Sequence, residues 1–491
     1  MIAKINNNNR TELEATEERN IMSQENFNTD YKENKIKGSE DIENKGSDIN
    51  ESEDTGNEEN KIERSELLKP ELLKEYVLSQ IKKSKEYTIA LIKWIVLAVI
   101  TGLFVGAFAT LFAKCMNAVT GFRAENNWIV CLLPIAGILI VCLYRITDTA
   151  NDKGTNLVIS SISSGDDVPL KMAPLIFLST VITHLFGGSA GREGAALQLG
   201  GSLGNFLGKI VKLNDRDKKV IIMCGMSAAF SALFGTPMAA AIFSIEVVSV
   251  GIMYYSALVP CIFSAIIASR FALDMGINPN HFNIEDIPEL TMVNGLKTIV
   301  LAVVCAFISV VFCVVIHRMN DLLKRYLKNG YLRVFVCSII IVALGFLLNT
   351  KDYFGAGVDV ISRAIGGEAD TFAFLLKILF TALTLGAGFK GGEIVPSFFV
   401  GATLGCILGG IIGLSPSLCA GLGMISVFCG VTNCPIASLL ISFELFGDDV
   451  KMYFLIVIAV SYMMSGYHGL YREQKIMYSK SKTEFINTKA K

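Results

Sequence analysis

Charged side chains are scarce over most of this chain of 491 residues. Residues 1–60 hold 7 Lys and Arg against 16 Asp and Glu, a net charge of −9. The remaining 431 residues therefore hold 37 basic and 29 acidic side chains, about 15% of their number, whereas a soluble domain has about 25%. This scarcity argues against a soluble enzyme. Nucleic acid is not expected as a partner, because the basic residues are not gathered on one long face.

Recognisable catalytic and metal-binding motifs are missing as well. The chain has no HExxH and no phosphate loop ending in GK[ST]. Its twelve cysteines form no CxxC pair and have no histidine at metal-ligand spacing, so we expect them to be small apolar side chains in helices. An enzyme acting inside the membrane would need a water-activating pair there, but the adjacent Asp166 and Asp167 lie in a polar loop. The sequence thus predicts no enzyme, no metal site and no cofactor.

An acidic, asparagine-rich segment at the start of the chain lacks the large apolar side chains that a core requires. We therefore expect residues 1–75 to be a disordered acidic arm, which is either a solvated tail or a regulatory segment. No signal peptide is evident in it, so the first apolar run is expected to remain as a helix. Lys82 and Lys83 precede that run and Arg472 follows the last one, which predicts cytoplasmic termini and a protein of the plasma membrane.

Long apolar runs make up most of the chain beyond this arm. Several exceed the ~20 residues that cross a bilayer as a helix, for example 88–113 and 219–250. Others are shorter or are interrupted by Gly and Pro, as in transporters whose broken helices line a binding site. The sequence therefore predicts an all-α, polytopic membrane protein with broken helices.

Two pairs of segments match each other along the chain. Residues 180–208 match 381–409 at an offset of 201, mainly through glycines, and residues 237–246 match 435–444 at an offset of 198. Because both matches keep the same order, we predict two membrane repeats with the substrate held where they meet. The predicted division is an acidic cytoplasmic arm at 1–75, a first membrane repeat at 76–275, a second membrane repeat at 276–478 and a cytoplasmic tail at 479–491.

Three polar residues within apolar runs are expected to have structural roles. Glu246 and Glu444 occupy matched positions of the repeat, and we expect each of them to cap or anchor a helix. His184 is expected to be a packed, hydrogen-bonded side chain rather than a ligand.

Two glycine-rich loops, each between apolar segments, carry the strongest functional signal. The first reads GGSAGREG over 187–194, and the second reads GAGFKGGEIVP over 386–396. Glycine lets a backbone turn sharply and approach a ligand closely, and the helix start that follows offers free N–H groups and a partial positive charge. Two such starts facing each other form a site for a small anion without a full positive charge. The loop residues predicted to line this site are Gly191, Arg192, Gly194, Ile394 and Val395.

Glu193 places a carboxylate where the first loop is suited to an anion. A carboxylate in that position can compete with the anion for the site and can carry a proton, so we predict that Glu193 is both gate and proton carrier. The alternative is a structural ion pair with Arg192 or another base at the helix end.

Together these features resemble the CLC family of anion channels and antiporters, over residues 88–478. The resemblance rests on Gly191-Arg192-Glu193-Gly194, on the second loop ending in Pro396, on the paired Pro-x-Ala and Ser-x-Glu segments, and on the late Tyr471. It implies inverted repeats and a homodimer with a separate pore in each subunit. It also implies that Glu193 is the gating glutamate and that Tyr471 is the pore tyrosine. From its spacing alone, Tyr471 would be an aromatic residue at the membrane interface.

Three departures from the common CLC pattern resemble the fluoride-exporting branch of the family. Gly154-Thr155-Asn156 replaces the usual serine-bearing loop and would contribute anion ligands. Glu393 is a carboxylate in the second loop, and it either helps to pass protons and tunes the field around fluoride or caps a helix start. Val247, which cannot titrate, stands where chloride antiporters have an inner proton-handling glutamate.

The leading functional prediction is therefore a proton-coupled exporter of fluoride, with protons and a small anion as its substrates and the lipid bilayer as its surroundings. The alternative is the same architecture carrying chloride, either as a chloride/proton antiporter or as a chloride channel. A purely structural membrane protein would not explain why glycine loops recur at matched positions.

Overall fold

The computed structural model describes residues 70–149 and 153–491, so most of the predicted acidic arm lies outside the described residues. The described residues hold sixteen α-helices and three short strands, and the predominantly helical fold confirms the prediction. The helices are α1 Pro70–Glu125, α2 Leu133–Ile146, α3 Thr155–Ser164, α4 Met172–Leu185, α5 Glu193–Ile210, α6 Asp215–Phe234, α7 Pro237–Glu246, α8 Leu258–Asp274, α9 Met292–Tyr326, α10 Gly330–Leu347, α11 Val358–Ile365, α12 Ala373–Ala387, α13 Ile394–Ile412, α14 Pro416–Thr432, α15 Pro435–Phe446 and α16 Lys451–Met464. The strands are β1 Ser249–Val250, β2 Lys475–Tyr478 and β3 Phe485–Lys489.

Residues Ile89–Lys491 form one compact unit, and the described residues 70–88 belong to a separate one. In the described part of the latter, Lys82 and Lys83 are exposed. Every predicted site residue lies within Ile89–Lys491.

The helices differ widely in length, as the interrupted apolar runs predict. Six of the described helical stretches are long and apolar enough to cross a membrane, while several others have only 10–17 residues. Large apolar side chains such as Phe307 and Phe346 are about two-thirds exposed, which suits a surface that faces lipid. Nine of the twelve cysteines are buried and all twelve are free, which agrees with their prediction as small apolar side chains.

The internal repeat is visible in where the helices begin. The matched helices α4 and α12 begin at Met172 and Ala373, and α5 and α13 begin at Glu193 and Ile394, so both pairs are 201 residues apart. The matched helices α7 and α15 begin 198 residues apart, each at a proline. These are the two offsets found in the sequence, and the helices α1–α8 therefore correspond in order to α9–α16.

Two glutamates fix the relative direction of the repeats. The carboxylate of Glu246, at the last residue of α7, accepts hydrogen bonds from the N–H groups of Ile436 and Ala437 in the first turn of α15, at 3.1 and 2.8 Å. Glu444, near the end of α15, does the same in the first turn of α7, at 2.8 and 2.9 Å. Each carboxylate thus caps the matched helix of the other repeat, as predicted. Because the two equivalent helices run antiparallel, the repeats are inverted.

Glycines allow the matched helix pairs α5/α6 and α13/α14 to touch through their backbones. A Cβ built on Gly200 would lie 2.2 Å from the carbonyl oxygen of Gly225, and one built on Gly401 would lie 2.3 Å from that of Gly423. These contacts occupy matched positions in the two repeats. Small residues at such crossings bring membrane helices close enough for backbone van der Waals contact.

The last residues of the chain belong to a small three-stranded sheet. Strand β2 pairs in parallel with β1, and β3 pairs antiparallel with β2. The side chain of Ile476 is fully buried against Val250 and Ala490. The segment 479–491 therefore folds back onto the protein, because β3 pairs with the neighbouring β2 and β2 pairs with the distant β1.

Replacing Glu246 by alanine tests the exchanged caps. The variant leaves two N–H groups at the start of α15 without an acceptor, at a cost of about 1–3 kcal/mol. We expect a lower midpoint of thermal unfolding in detergent, with Glu246→Gln intermediate because one acceptor oxygen remains. Glu368→Ala removes an exposed carboxylate and is the matched control. An unchanged midpoint for Glu246→Ala would show that the caps do not hold the repeats together.

Candidate anion site where two glycine loops cross

The two predicted glycine loops cross each other. Gly191 N–H donates to the carbonyl oxygen of Gly392, and Gly392 N–H donates to that of Gly191, both at 2.7 Å. These residues are equivalent in the repeat, so a local twofold axis passes between them. A Cβ on Gly392 would lie 2.5 Å from the backbone nitrogen of Gly194, and a side chain there would force the loops apart.

Both helix starts predicted to bind an anion lie at this crossing. Helix α5 begins at Glu193 and α13 begins at Ile394, within two residues of the bonded glycines. A Cβ on Gly194 would lie 3.0 Å from the Cα of Gly392, so the first turn of α5 touches the second loop directly. The crossing therefore brings together two sets of backbone N–H groups that have no partner within their own helix.

Glu193 turns its carboxylate onto its own loop. The side chain is 2% exposed, and Oε2 accepts a hydrogen bond from the backbone N–H of Arg192 at 2.9 Å. The same oxygen would be 2.7 Å from a Cβ on Gly191, so the carboxylate lies against the crossing. The Arg192 Nε atom is 3.6 Å from Oε1, an ion pair that is longer than a hydrogen bond. The carboxylate is thus held by a backbone N–H group in the way a free anion would be.

The side chain of Arg192 lies on the wall of a cavity rather than at the crossing. Its Nη1 atom donates to Asn117 Oδ1 at 3.0 Å. The cavity has a volume of about 630 Å³ and is lined by Arg192, Glu193 and Val395 among others. We call it the Glu193 cavity.

Glu393 lies on the opposite side of the crossing from this cavity. It is the residue before α13, yet its side chain makes no hydrogen bond to the first turn of that helix, which disfavours the helix-cap interpretation. Its Oε2 atom is buried and has no hydrogen-bonding partner among the described residues. That oxygen would be 3.5 Å from a Cβ on Gly194, so it reaches the start of α5.

Tyr471 joins Glu393 on that side. Its side chain is 1% exposed, and its hydroxyl group also has no partner within the described part of the chain. The hydroxyl is close enough to Glu393 and Glu193 to interact with both electrostatically. Its burial inside the protein excludes the alternative of an aromatic residue at the membrane interface.

A second cavity, of about 570 Å³, contains both of these groups and is called the Glu393 cavity. The predicted Gly154, Thr155 and Asn156 line it too. Thr155 Oγ1 donates to the carbonyl oxygen of Gly194 at 3.2 Å, and Asn156 Oδ1 accepts from the backbone N–H of Glu473 at 3.1 Å. The hydroxyl of Thr155 is therefore engaged by the protein and fixes the start of α5, although its position beside the crossing was predicted.

The two cavities approach the crossing from opposite sides and share no lining residue among those identified. Arg192, Glu193 and Val395 belong to one, whereas Glu393 and Tyr471 belong to the other. The remaining predicted residues, Gly191, Gly194 and Ile394, line neither and lie between the cavities. The crossing is thus a thin partition between two spaces.

Sequence reasoning missed two buried amides near the site. Gln198 lies one turn into α5, is 1% exposed and lines the Glu393 cavity. Gln474 is fully buried three residues after Tyr471. The only available signal was the position of Gln198 between two leucines, whereas the charged sequence neighbours of Gln474 give no signal. His184, by contrast, is packed as predicted, with Nδ1 2.9 Å from the carbonyl oxygen of Thr180.

A model of the voltage-gated chloride channel family matches residues 137–466. The chain belongs to this family, known as CLC. A chloride/fluoride channel protein from Pseudomonas syringae is 34% identical over 395 residues, which cover 79% of this chain and 87% of that protein. An H(+)/Cl(−) exchange transporter from Vibrio cholerae is 24% identical and covers 71% of this chain and 81% of that protein.

Solved CLC structures confirm the fold. A crystal structure of a CLC-type fluoride/proton antiporter matches with a TM-score of 0.76 and 33% identity, over 79% of this chain and 98% of that chain. A slow cyanobacterial Cl−/H+ antiporter matches with a TM-score of 0.67 over 76% of this chain and 94% of that chain. At 18% identity, the latter supports the fold alone. This CLC protein is accordingly a multi-pass membrane protein.

The crossing is tested by adding one methyl group. Gly392→Ala forces the loops apart and should abolish anion transport in liposomes, with overpacking that costs about 1–3 kcal/mol. Gly410→Ala, in α13, is the matched control because nothing lies within 4 Å of its Cβ position. Wild-type transport by Gly392→Ala would rule out the crossing as the constriction.

Proposed function

We propose that this CLC protein is a proton-coupled fluoride exporter in which Glu193 gates the pore and carries the proton. The observation that carries the proposal is a pair of buried polar atoms, the Tyr471 hydroxyl and Glu393 Oε2, which have no partner among the described residues. Buried polar groups are rarely left unpaired unless they serve a ligand. An anion between them would accept a hydrogen bond from the hydroxyl, and a second one from the carboxyl group when that is protonated.

Fluoride suits these donors better than chloride does. It is the smallest halide and the strongest hydrogen-bond acceptor among them, so it gains most from two O–H donors at a narrow constriction. A second carboxylate beside the pore would repel any anion when ionised, so Glu393 admits the anion only while its own carboxyl group is protonated. The two relatives whose names mention fluoride are 34% and 33% identical to this chain, whereas the H(+)/Cl(−) exchange transporter is 24% identical. This difference also supports fluoride over chloride as the substrate.

Glu193 provides the exchange step. In its ionised form, the carboxylate accepts a hydrogen bond from the backbone N–H of Arg192 at the crossing. The anion therefore cannot use this N–H group. A proton removes its charge and weakens that hydrogen bond, which frees the N–H group for fluoride. Fluoride and a proton therefore use the same place in turn and move in opposite directions. Inward proton movement then drives fluoride outward.

The distribution of charge assigns a side of the membrane to each cavity. The Glu193 cavity is lined by three basic and three acidic residues, whereas the Glu393 cavity is lined by six basic and two acidic residues. Basic residues accumulate on the cytoplasmic side of membrane proteins. We therefore assign the Glu393 cavity to the cytoplasm, which agrees with cytoplasmic termini. Fluoride would enter there, with its local concentration raised by the positive field, and would leave past Glu193.

The side chain of Val247 favours a proton route that avoids this position. The side chain is fully buried and cannot titrate, so protons do not pass through it. Glu393 is the carboxyl group available beside the Glu393 cavity instead.

Each chain contains a complete crossing with both cavities, so a homodimer in the plasma membrane would have one pore in each subunit. Chloride/proton exchange, or a chloride channel, is the alternative function of the same site.

Replacing Glu193 by glutamine separates gating from proton transport. The amide has the same shape but cannot carry a proton, so we expect fluoride movement without proton movement in liposomes. The measurement follows external fluoride and pH together, with Glu368→Gln as an exposed control. Proton movement at the wild-type rate in Glu193→Gln would refute the assigned role.

A second variant tests Glu393 as a donor to the anion. In a Glu193→Gln background, which removes the other carboxyl group, fluoride affinity should fall by about tenfold or more as rising pH ionises Glu393. Glu393→Gln in the same background keeps an amide donor at every pH, so its affinity should not depend on pH. Calorimetric titration with fluoride at several pH values measures both. Identical pH profiles for the two proteins would exclude a donor role for Glu393.

A further inference from the structure

The hydroxyl of Tyr471 has no hydrogen-bonding partner among the described residues, so the backbone must set its position. The preceding residue, Leu470, donates its N–H to the carbonyl oxygen of Val431 at 2.8 Å and is bonded through its own carbonyl oxygen to His317 Nε2 at 3.1 Å. The carbonyl oxygen of Tyr471 accepts from the backbone N–H of Gln474 at 3.0 Å. The turn that presents the tyrosine is therefore closed by Gln474.

The side chain of Gln474 is a fully buried amide with all of its groups engaged. Nε2 donates to the carbonyl oxygens of Thr432 at 2.8 Å and Val247 at 3.0 Å. Oε1 accepts from Asn433 Nδ2 at 3.0 Å. An amide nitrogen has two donors, and both are used here on backbone carbonyls.

These two carbonyls belong to different repeats. Thr432 is the last residue of α14 in the second repeat, and Val247 directly follows α7 in the first. Carbonyl groups at helix ends have no partner within their own helix. A single side chain thus ties the turn carrying Tyr471 to one helix end from each half of the protein.

The C-terminal hairpin covers this amide. The backbone N–H of Ala490 donates to the carbonyl oxygen of Gln474 at 2.9 Å. Lys480 Nζ donates to Asn433 Oδ1 at 2.5 Å and to Ser465 Oγ at 3.0 Å. Burial lowers the pKa of the Lys480 ammonium group to about 8, so it still carries its proton at neutral pH. Both the side chain and the backbone carbonyl of Gln474 are thus hydrogen-bonded, and its partner Asn433 is bonded to Lys480 in turn. Fully hydrogen-bonded buried networks of this kind hold their groups rigidly.

We propose that Gln474 is a positioning residue for Tyr471 and thereby sets the affinity of the pore for its anion. The inference rests on the proposed function, since it takes the Tyr471 hydroxyl as an anion ligand. A hydrogen-bond donor must lie within about 0.5 Å of its productive position to act fully. Loss of the Gln474 bonds leaves two carbonyls unpaired and releases the turn that holds the tyrosine.

A double-mutant cycle tests the proposal through fluoride binding to the purified full chain. Gln474→Met keeps the length of the side chain but removes its hydrogen bonds, and it should raise the dissociation constant about tenfold. Tyr471→Phe removes the hydroxyl and should do the same. If Gln474 acts through that hydroxyl, adding Gln474→Met to Tyr471→Phe should change the constant by less than about twofold.

The control lies in the same hairpin. Lys489→Ala breaks an exposed ion pair of 2.6 Å with Glu473 and should leave the dissociation constant unchanged. Thermal unfolding of each variant separates lost stability from lost affinity. If Gln474→Met does not fold, Gln474→Glu takes its place, because it has the same size and lacks both donors when ionised.

Equal weakening by Gln474→Met in both backgrounds would overturn the proposal, since the residue would then act without the hydroxyl. An effect as large in Lys489→Ala would overturn it as well. If the wild type binds chloride and not fluoride, the fluoride proposal fails, and the same cycle run with chloride still decides the role of Gln474. If Tyr471→Phe weakens fluoride binding but Gln474→Met leaves the dissociation constant unchanged, only the positioning role of Gln474 is contradicted.

Discussion

Two reciprocal hydrogen bonds between Gly191 and Gly392 are the constraint on which the site depends. They join equivalent residues of two repeats, so they place two helix starts together on a local twofold axis. Only glycine fits there, because a Cβ on Gly392 would meet the backbone of the other loop at 2.5 Å. The partition between the cavities is accordingly made of backbone, and the side chains that act on an anion stand on either side of it.

The rest of the fold holds that partition in register. Glu246 and Glu444 cap each other's helices across the repeats, and the glycine contacts of α5 with α6 and of α13 with α14 keep the loop-bearing helices close. These interactions use backbone groups and small residues in place of buried ion pairs. A frame of this kind needs no cation at the crossing itself, where a bound cation would hold a small anion too firmly to release it.

Much of this arrangement follows from local sequence patterns. The repeat offsets locate the starts of α5, α7, α13 and α15. The two loops can be recognised from their glycines and from the helix starts that follow them. The engaged hydroxyl of Thr155, the amide of Gln474 and the C-terminal hairpin do not follow in this way. Each depends on partners 39 to 227 residues away, such as the carbonyl of Gly194 or of Val247, and no local pattern encodes such a distance.

The central claim is that fluoride leaves in exchange for protons through the crossing. Its most direct test uses the wild-type protein in liposomes loaded with equal fluoride and chloride, with external fluoride, external chloride and pH recorded together. The account predicts fluoride efflux accompanied by proton uptake into the liposomes, with chloride retained. Chloride efflux in preference to fluoride, or fluoride efflux without any movement of protons, would contradict it.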